Sequence, residues 1–269
     1  MEESDWSSDV CSSDLPLSAL GRFNHEAAAV DPATGIVYMT EDRDNGLLYR
    51  LIPHTRGELA RGGRLQALAL MEPGLVDSRN WTATELAYQA WHATRWIDLE
   101  NVVSPEDDLR VRGHDKGALL FARGEGIHFG NGEFYFCCTS GGAAKLGQVM
   151  RYRPSRQEGT PAEHRSPGRL QVFVESTDAA VFNFGDNLTV APNGHLIVCE
   201  DQYSAVVSNH LRGVTPSGEV YAFAMLRTQT ELAGACFSPD GSTLFVNAYS
   251  PGKTLAIKGP WASFRAAKA

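Results

Sequence analysis

Four short runs of β-prone residues recur along this chain, each introduced by a glycine-containing turn and each ending in small, polar or acidic residues. They read TGIVYMTED around Gly35, NGEFYFCCTS around Gly132, NGHLIVCED around Gly194 and DGSTLFVNA around Gly241. Val, Ile, Tyr and Phe after a turn residue predict strands and hairpins. Partner strands are expected at 47–52, 149–152, 170–174 and 220–224. The glycines are 97, 62 and 47 residues apart, too uneven for a strict solenoid. Radially arranged sheets with variable insertions, an all-β β-propeller, fit the pattern, with a β-sandwich as the other architecture. A short helical insertion is expected over 82–96, where Leu86, Ala90, Ala93 and Trp96 have helical spacing and Thr82 stands as N-cap three residues before Glu85. The Pro-, Gly- and Arg-rich stretch 153–169 reads as a surface loop.

The first fifteen residues break this pattern. Asp5 to Leu15, DWSSDVCSSDL, read as the in-frame translation of a sequencing adapter. Residues 1–15 are therefore expected to be a non-native tail, with one domain over 16–269 that lacks an N-terminal blade or strands. Neither a basic region nor an apolar core is present at the start, so it is no signal peptide. The adapter reading also alters the charge. The 269 residues carry 24 Lys and Arg against 32 Asp and Glu, a net charge of −8. Five of those acids (Glu2, Glu3, Asp5, Asp9, Asp14) lie in the tail, and without it the net charge is −3.

Composition narrows the functional classes. Hydrophobic residues make up 43% of the chain and charged residues 21%, as in globular proteins. No basic cluster suggests nucleic acid or an anionic membrane surface, and no apolar run approaches the ~20 residues of a membrane span. Five Cys at this length do not make a disulfide framework. Cys137 and Cys138 should point to opposite faces of one strand as inert buried thiols, and Cys199 and Cys236 read as small core residues. HExxH is excluded because residue 29 is Ala, and GxSxG, a Walker loop, GxGxxG and CxxC do not occur.

The acids at the strand ends carry more information. Glu41-Asp42 and Glu200-Asp201 close two of the repeated runs at matching points. Equivalent positions of a propeller converge on its central channel, where clustered carboxylates need protons or cations, and calcium takes six to eight oxygens. Any one pair alone reads as solvated turn acids; the repetition favours metal. His25-Glu26 is a metal-ligand or acid–base pair. Arg123-Gly124-Glu125-Gly126 pairs a cation and an anion across a glycine that lets backbone approach a ligand, and it reads equally as a structural salt bridge.

Ordered blocks then make the chain resemble the PhoX-type alkaline phosphatases, propeller phosphomonoesterases that use calcium and iron. The blocks are GRFNHEAAAVDPATGIVYMTEDR from Gly21, GGRLQAL from Gly62, FARGEGIHF from Phe121, DNLTVAPNGHLIVCED from Asp186, ELAGACFSPDGSTLFVN from Glu231 and SPGKTLAIKGPW from Ser250. The resemblance implies iron ligation by Glu26 and Glu125, calcium ligation by Asp42, and substrate phosphate on Arg123. It extends to Glu41, Asp186, Asn187, Glu200, Asp201 and Glu231 as further oxygen ligands. It also implies small phosphorylated substrates, a monomeric intact enzyme, and a periplasmic or extracellular location reached through a twin-arginine leader that this sequence does not contain. The family's iron-binding Cys, in a Trp-Gly-Thr-Trp-Leu-x-Cys-Glu-Glu-type motif, has no counterpart here, so impaired activity is expected. The alternatives are a calcium-dependent propeller hydrolase of another class, lactonase or phytase-like, and a non-catalytic ligand-binding propeller.

Overall fold

Each turn-and-run unit folds as the second strand of a small antiparallel sheet. The computed structural model describes residues 16–202 and 209–261; the 1–15 tail lies outside them. The first sheet holds β1 (His25–Val30), β2 (Val37–Glu41), β3 (Leu48–Pro53) and β4 (Gly63–Leu70). There follow β5 (His92–Asp98) and a short helix, α1 (Leu109–Asp115). The second sheet is β6 (Gly124–Gly130), β7 (Glu133–Cys138), β8 (Gln148–Arg153) and β9 (Arg169–Glu175). The third is β10 (Gly185–Val190), β11 (Leu196–Glu200), β12 (His210–Val214) and β13 (Val220–Met225), and the fourth is β14 (Leu232–Phe237), β15 (Thr243–Ala248) and β16 (Lys253–Lys258). Within each sheet consecutive strands pair, and β5 pairs both β4 and β9, joining the first two into nine strands.

These sheets are propeller blades. Their first strands are neighbours in the order β1, β6, β10, β14, an arc of inner strands. The second strands explain why the blades stack. On β2, Tyr38 enters a core shared with Phe134 and Phe136 of β7, while Val37 and Met39 face a core with Leu109 of α1. On β7, Tyr135 and Cys137 turn the other way, to Leu196 and Val198 of β11. Ile197 and Cys199 in turn meet Leu244 and Val246 of β15. Period-2 side chains thus bury both faces of the second strand in the first three blades, which is why those segments read as nearly continuous apolar runs. By contrast, β15 buries mainly the face of Leu244, Val246 and Ala248.

Two expectations fail locally. Residues 82–91 form no helix and 92–98 are β5, because β4 offers a free edge that this segment pairs from Gln66↔Asp98 to Leu70↔Thr94. Four apolar residues, two of them alanines, make too weak a stripe to compete with that pairing. Asn80, not Thr82, organises the turn: its Oδ1 accepts from the Glu85 and Leu86 amides at 3.0 and 3.1 Å. Among the described residues the α-helix is α1, unforeseen in the pattern. Cys236 is exposed rather than part of the core, because a bulge after Ala233 flips the side-chain alternation of β14. The 153–169 loop is anchored from within by a buried acid, Glu158, on Arg50, Tyr38 and Tyr152. Among the described residues no helix is long and apolar enough to cross a membrane.

Candidate metal centre

The same irregularity opens every inner strand. β1 pairs β2 through His25↔Glu41 and then Ala28↔Met39, three residues against two. The step repeats at Gly124↔Cys138 to Ile127↔Phe136, at Gly185↔Glu200 to Leu188↔Val198, and at Ala233↔Asn247 to Cys236↔Phe245. Each step is a β-bulge, a device that re-aims a side chain. The first residue inside the bulge is Glu26, Glu125, Asp186 and Gly234 in blade order. Three successive blades therefore present a carboxylate from one position, and these three have oxygens within 4.8 Å of one another. The fourth blade carries its acid earlier, at Glu231, whose oxygens lie equally close to those of Asp186 and Asp201. Two trios thus share Asp186.

Glycines set the spacing. A Cβ on Gly126 would lie 2.8 Å from the Asn187 Cα and 2.9 Å from the Asp186 carbonyl oxygen, and one on Gly124 would lie 3.2 Å from the Glu41 carbonyl oxygen. The two glycines flanking Glu125 let its strand approach both neighbours, so the close partner is the adjacent blade and not a ligand, as the motif alone suggested. The Thr40 hydroxyl ties the first two blades by donating to the Glu125 carbonyl at 2.6 Å. Thr139 repeats the tie one blade on, to the Gly185 carbonyl at 3.2 Å.

Arg123 directly precedes β6 as Glu231 directly precedes β14, where Glu231 lies one residue further from its bulge. The carbonyls of Asn24, Arg123, Phe184 and Glu231 accept from the amides of Asp42, Thr139, Asp201 and Tyr249, respectively, at 2.9–3.1 Å. Arg123 has φ of 55°, a left-handed conformation that costs a non-glycine residue energy and clusters at functional sites. Its Nε and Nη2 donate to the two oxygens of Asp42 at 2.8 and 3.1 Å, and Nη2 also donates to Glu125 at 2.9 Å. Burial, then the charges of Asp186, Asp42 and Glu26, push Glu125 up to about 9. Glu26 is raised by burial and by Asp186 and Asp42, against the opposing effect of Arg123. Asp186 is raised by burial, although its hydrogen bond with Glu125 pulls the other way. One guanidinium does not neutralise this many acids, and an all-oxygen donor set of this kind suits hard cations.

The other acids have different work. Glu41 is fully buried and accepts from the Tyr49 hydroxyl at 2.8 Å and the Leu47 amide at 3.2 Å. Glu200 accepts from Arg212 Nε at 2.7 Å and from the amides of Asn183 and His210 at 3.0 Å. Both belong to neither trio. In each Glu-Asp pair it is the second residue that turns toward the centre, because successive side chains of an extended chain point to opposite sides. Asn187 spends its Oδ1 on the Ala235 amide at 2.9 Å, a tie between the third and fourth blades. The ring of His25 stacks on Phe23 and reaches the Gly21 carbonyl at 2.9 Å, leaving Glu26 as the member of that pair in the cluster. Cys137 and Cys138 are buried in different cores, as the alternation required, and burial pushes both thiols up. Sequence reading missed Arg43 and Arg110, which border the site from 42–45 and α1. No sequence pattern links two arginines 67 positions apart.

Comparison with known proteins places the fold and the family. PhoX from Pseudomonas fluorescens, in complex with the transition-state analogue vanadate, superposes with a TM-score of 0.67 at 21% identity, covering 90% of this chain and 54% of that one. The chain thus spans about half the length of that protein. A calcium-binding regucalcin from Agrobacterium tumefaciens matches at a TM-score of 0.48 and 13% identity, covering 92% of this chain and 58% of that one. No curated protein matches. The family model described as alkaline phosphatase PhoX matches residues 5–252, and the chain belongs to that family.

Proposed function

We propose that the carboxylate trios hold hard cations and that Arg123, beside them, binds the phosphoryl group of a small phosphomonoester for hydrolysis. The observation that carries this reading is the convergence of Glu26, Glu125 and Asp186 from one bulge position in three blades, next to a positioned arginine. The donor set fits calcium at Asp186, Asp201 and Glu231, with Asp42 nearby. Glu26 and Glu125 fit iron, as the family resemblance implies. When bound, the cations supply Lewis acidity and neutralise charge on the phosphoryl oxygens.

This chain's own residues prepare the rest. Asp42 and Glu125 hold the guanidinium plane from two sides, so it meets a phosphoryl group already oriented, and Arg123 Nη1 keeps its donors free among the described residues. A phosphoryl group spreads negative charge over its equatorial oxygens, to which the donors left on Arg123 Nη1 can make charge-assisted hydrogen bonds. A neutral lactone would offer the free Arg123 donors no charged acceptor, which favours a phosphate ester over the lactonase alternative.

Hydrolysis of p-nitrophenyl phosphate with added Ca²⁺ and iron tests the proposal. Impaired turnover is expected, in keeping with the absent Cys-Glu-Glu motif, and Arg123→Ala should lower the remaining kcat/KM about 100-fold through loss of charge-assisted hydrogen bonds. Equal turnover by the variant would overturn the assigned role of Arg123.

A further inference from the structure

Beside Arg123 opens a cavity of about 510 Å³ lined by Asp42, Arg43, Asp44, Asn45, Arg110 and Arg123. It adjoins the carboxylate cluster through Asp42 but contains none of the bulge acids. Three guanidiniums border one space, and each is held from behind. A single carboxylate positions two of them: Asp107 accepts from Arg110 Nη1 at 2.7 Å through one oxygen and from Arg43 Nη2 at 3.2 Å through the other. Asn45 Oδ1 accepts from Arg110 Nε at 3.2 Å, and Asn24 Oδ1 from Arg43 Nη2 at 3.2 Å. The donors left over are Arg110 Nη2, Arg43 Nε and Nη1, and Arg123 Nη1, which have no hydrogen-bond partner among the described residues.

Arginines that line one cavity, are held by carboxylates and keep N–H groups without a partner make a preorganised anion site, because the ordering cost is met in the fold. We infer that Arg43 and Arg110 form a second anion subsite, which selects phosphate esters bearing a further phosphate close to the one cleaved. This rests on the reading of Arg123 as the phosphoryl-binding residue. With three arginines along one cavity, a phosphate, which carries more charge and more acceptor oxygens, fits better than a single carboxylate.

Calorimetric titration of the chain with orthophosphate and with pyrophosphate, at one fixed free Ca²⁺ concentration, tests the inference. Two or more additional charge-assisted hydrogen bonds should make pyrophosphate bind at least roughly tenfold more tightly than orthophosphate. Arg43→Ala, at a half-exposed side chain, should collapse that ratio toward one, and Arg110→Lys should reduce it while thermal unfolding confirms that the variant folds. Equal affinities for the two anions, or a ratio that survives both substitutions, would overturn the subsite and leave the Arg123 reading standing. Binding of neither anion would overturn both.

Discussion

Gly126 and Asp186 touch backbone to backbone: a Cβ added to the glycine would stand 2.9 Å from the aspartate carbonyl oxygen. This contact brings the bulge of one blade against the bulge of the next, and it sets the distance between Glu125 and Asp186. Gly126→Ala should force the two inner strands apart at a cost of about 1–3 kcal/mol. Thermal unfolding and a Ca²⁺ titration check the prediction. Both melting temperature and Ca²⁺ affinity should fall, whereas a loss of stability alone would separate the contact from the cation site.

The two acids of each Glu-Asp pair should separate by experiment. Glu200→Gln weakens a buried hydrogen-bond set with Arg212, Asn183 and His210, so it should lower the melting temperature and keep Ca²⁺ affinity. Asp201→Asn removes a member of the second trio and should do the reverse. Parallel unfolding and calcium titrations of the two variants decide it.

Acid stability should depend on Glu133. Burial raises this carboxyl, but hydrogen bonds from Arg151 and Arg153 outweigh burial and leave it below its ordinary value of 4.5. A lowered acid stabilises the fold above its unfolded-state value, and the contribution is lost as pH falls through the folded value. Glu133→Gln should therefore melt a few degrees lower than the native chain at neutral pH. The two curves should converge in acid below that range.

The buried pair of Arg50 and Glu158 pins the 153–169 loop against the first two blades. Arg50 also lies over the Trp96 ring at 4.3 Å and donates to Glu163 through Nη1 and Nη2, each at 2.7 Å. Glu158→Ala leaves that cation and the hydroxyls of Tyr38 and Tyr152 short of an acceptor, and should cost about 3–5 kcal/mol. Urea unfolding measures it, and a change below 1 kcal/mol (about one surface ion pair) would show that Glu163 alone suffices.

Much of this was legible in the chain because the second strand of each of the first three blades is buried on both faces, so its composition announces it. Glu26, Glu125 and Asp186 could be picked out beside Arg123, since the family resemblance falls on those residues. What could not be read was which acid of each pair turns inward, because that depends on bulges whose residues carry no local signature. The 82–96 segment misled for a related reason: its fate is set by the free edge of β4, far along the chain. Arg43 and Arg110 came into view only when Asp107 was seen to hold both.

The central claim is that Glu26, Glu125 and Asp186 form a cation site made by the fold. Calorimetric titration of the purified chain with Ca²⁺, before and after Asp186→Asn, the acid that both trios share, tests it most directly. The account predicts saturable binding that raises the melting temperature of the native chain and that falls at least roughly tenfold in affinity in the variant, as loss of one charged ligand demands. Identical Ca²⁺ affinity in the two proteins, or no binding to the native chain, would contradict it.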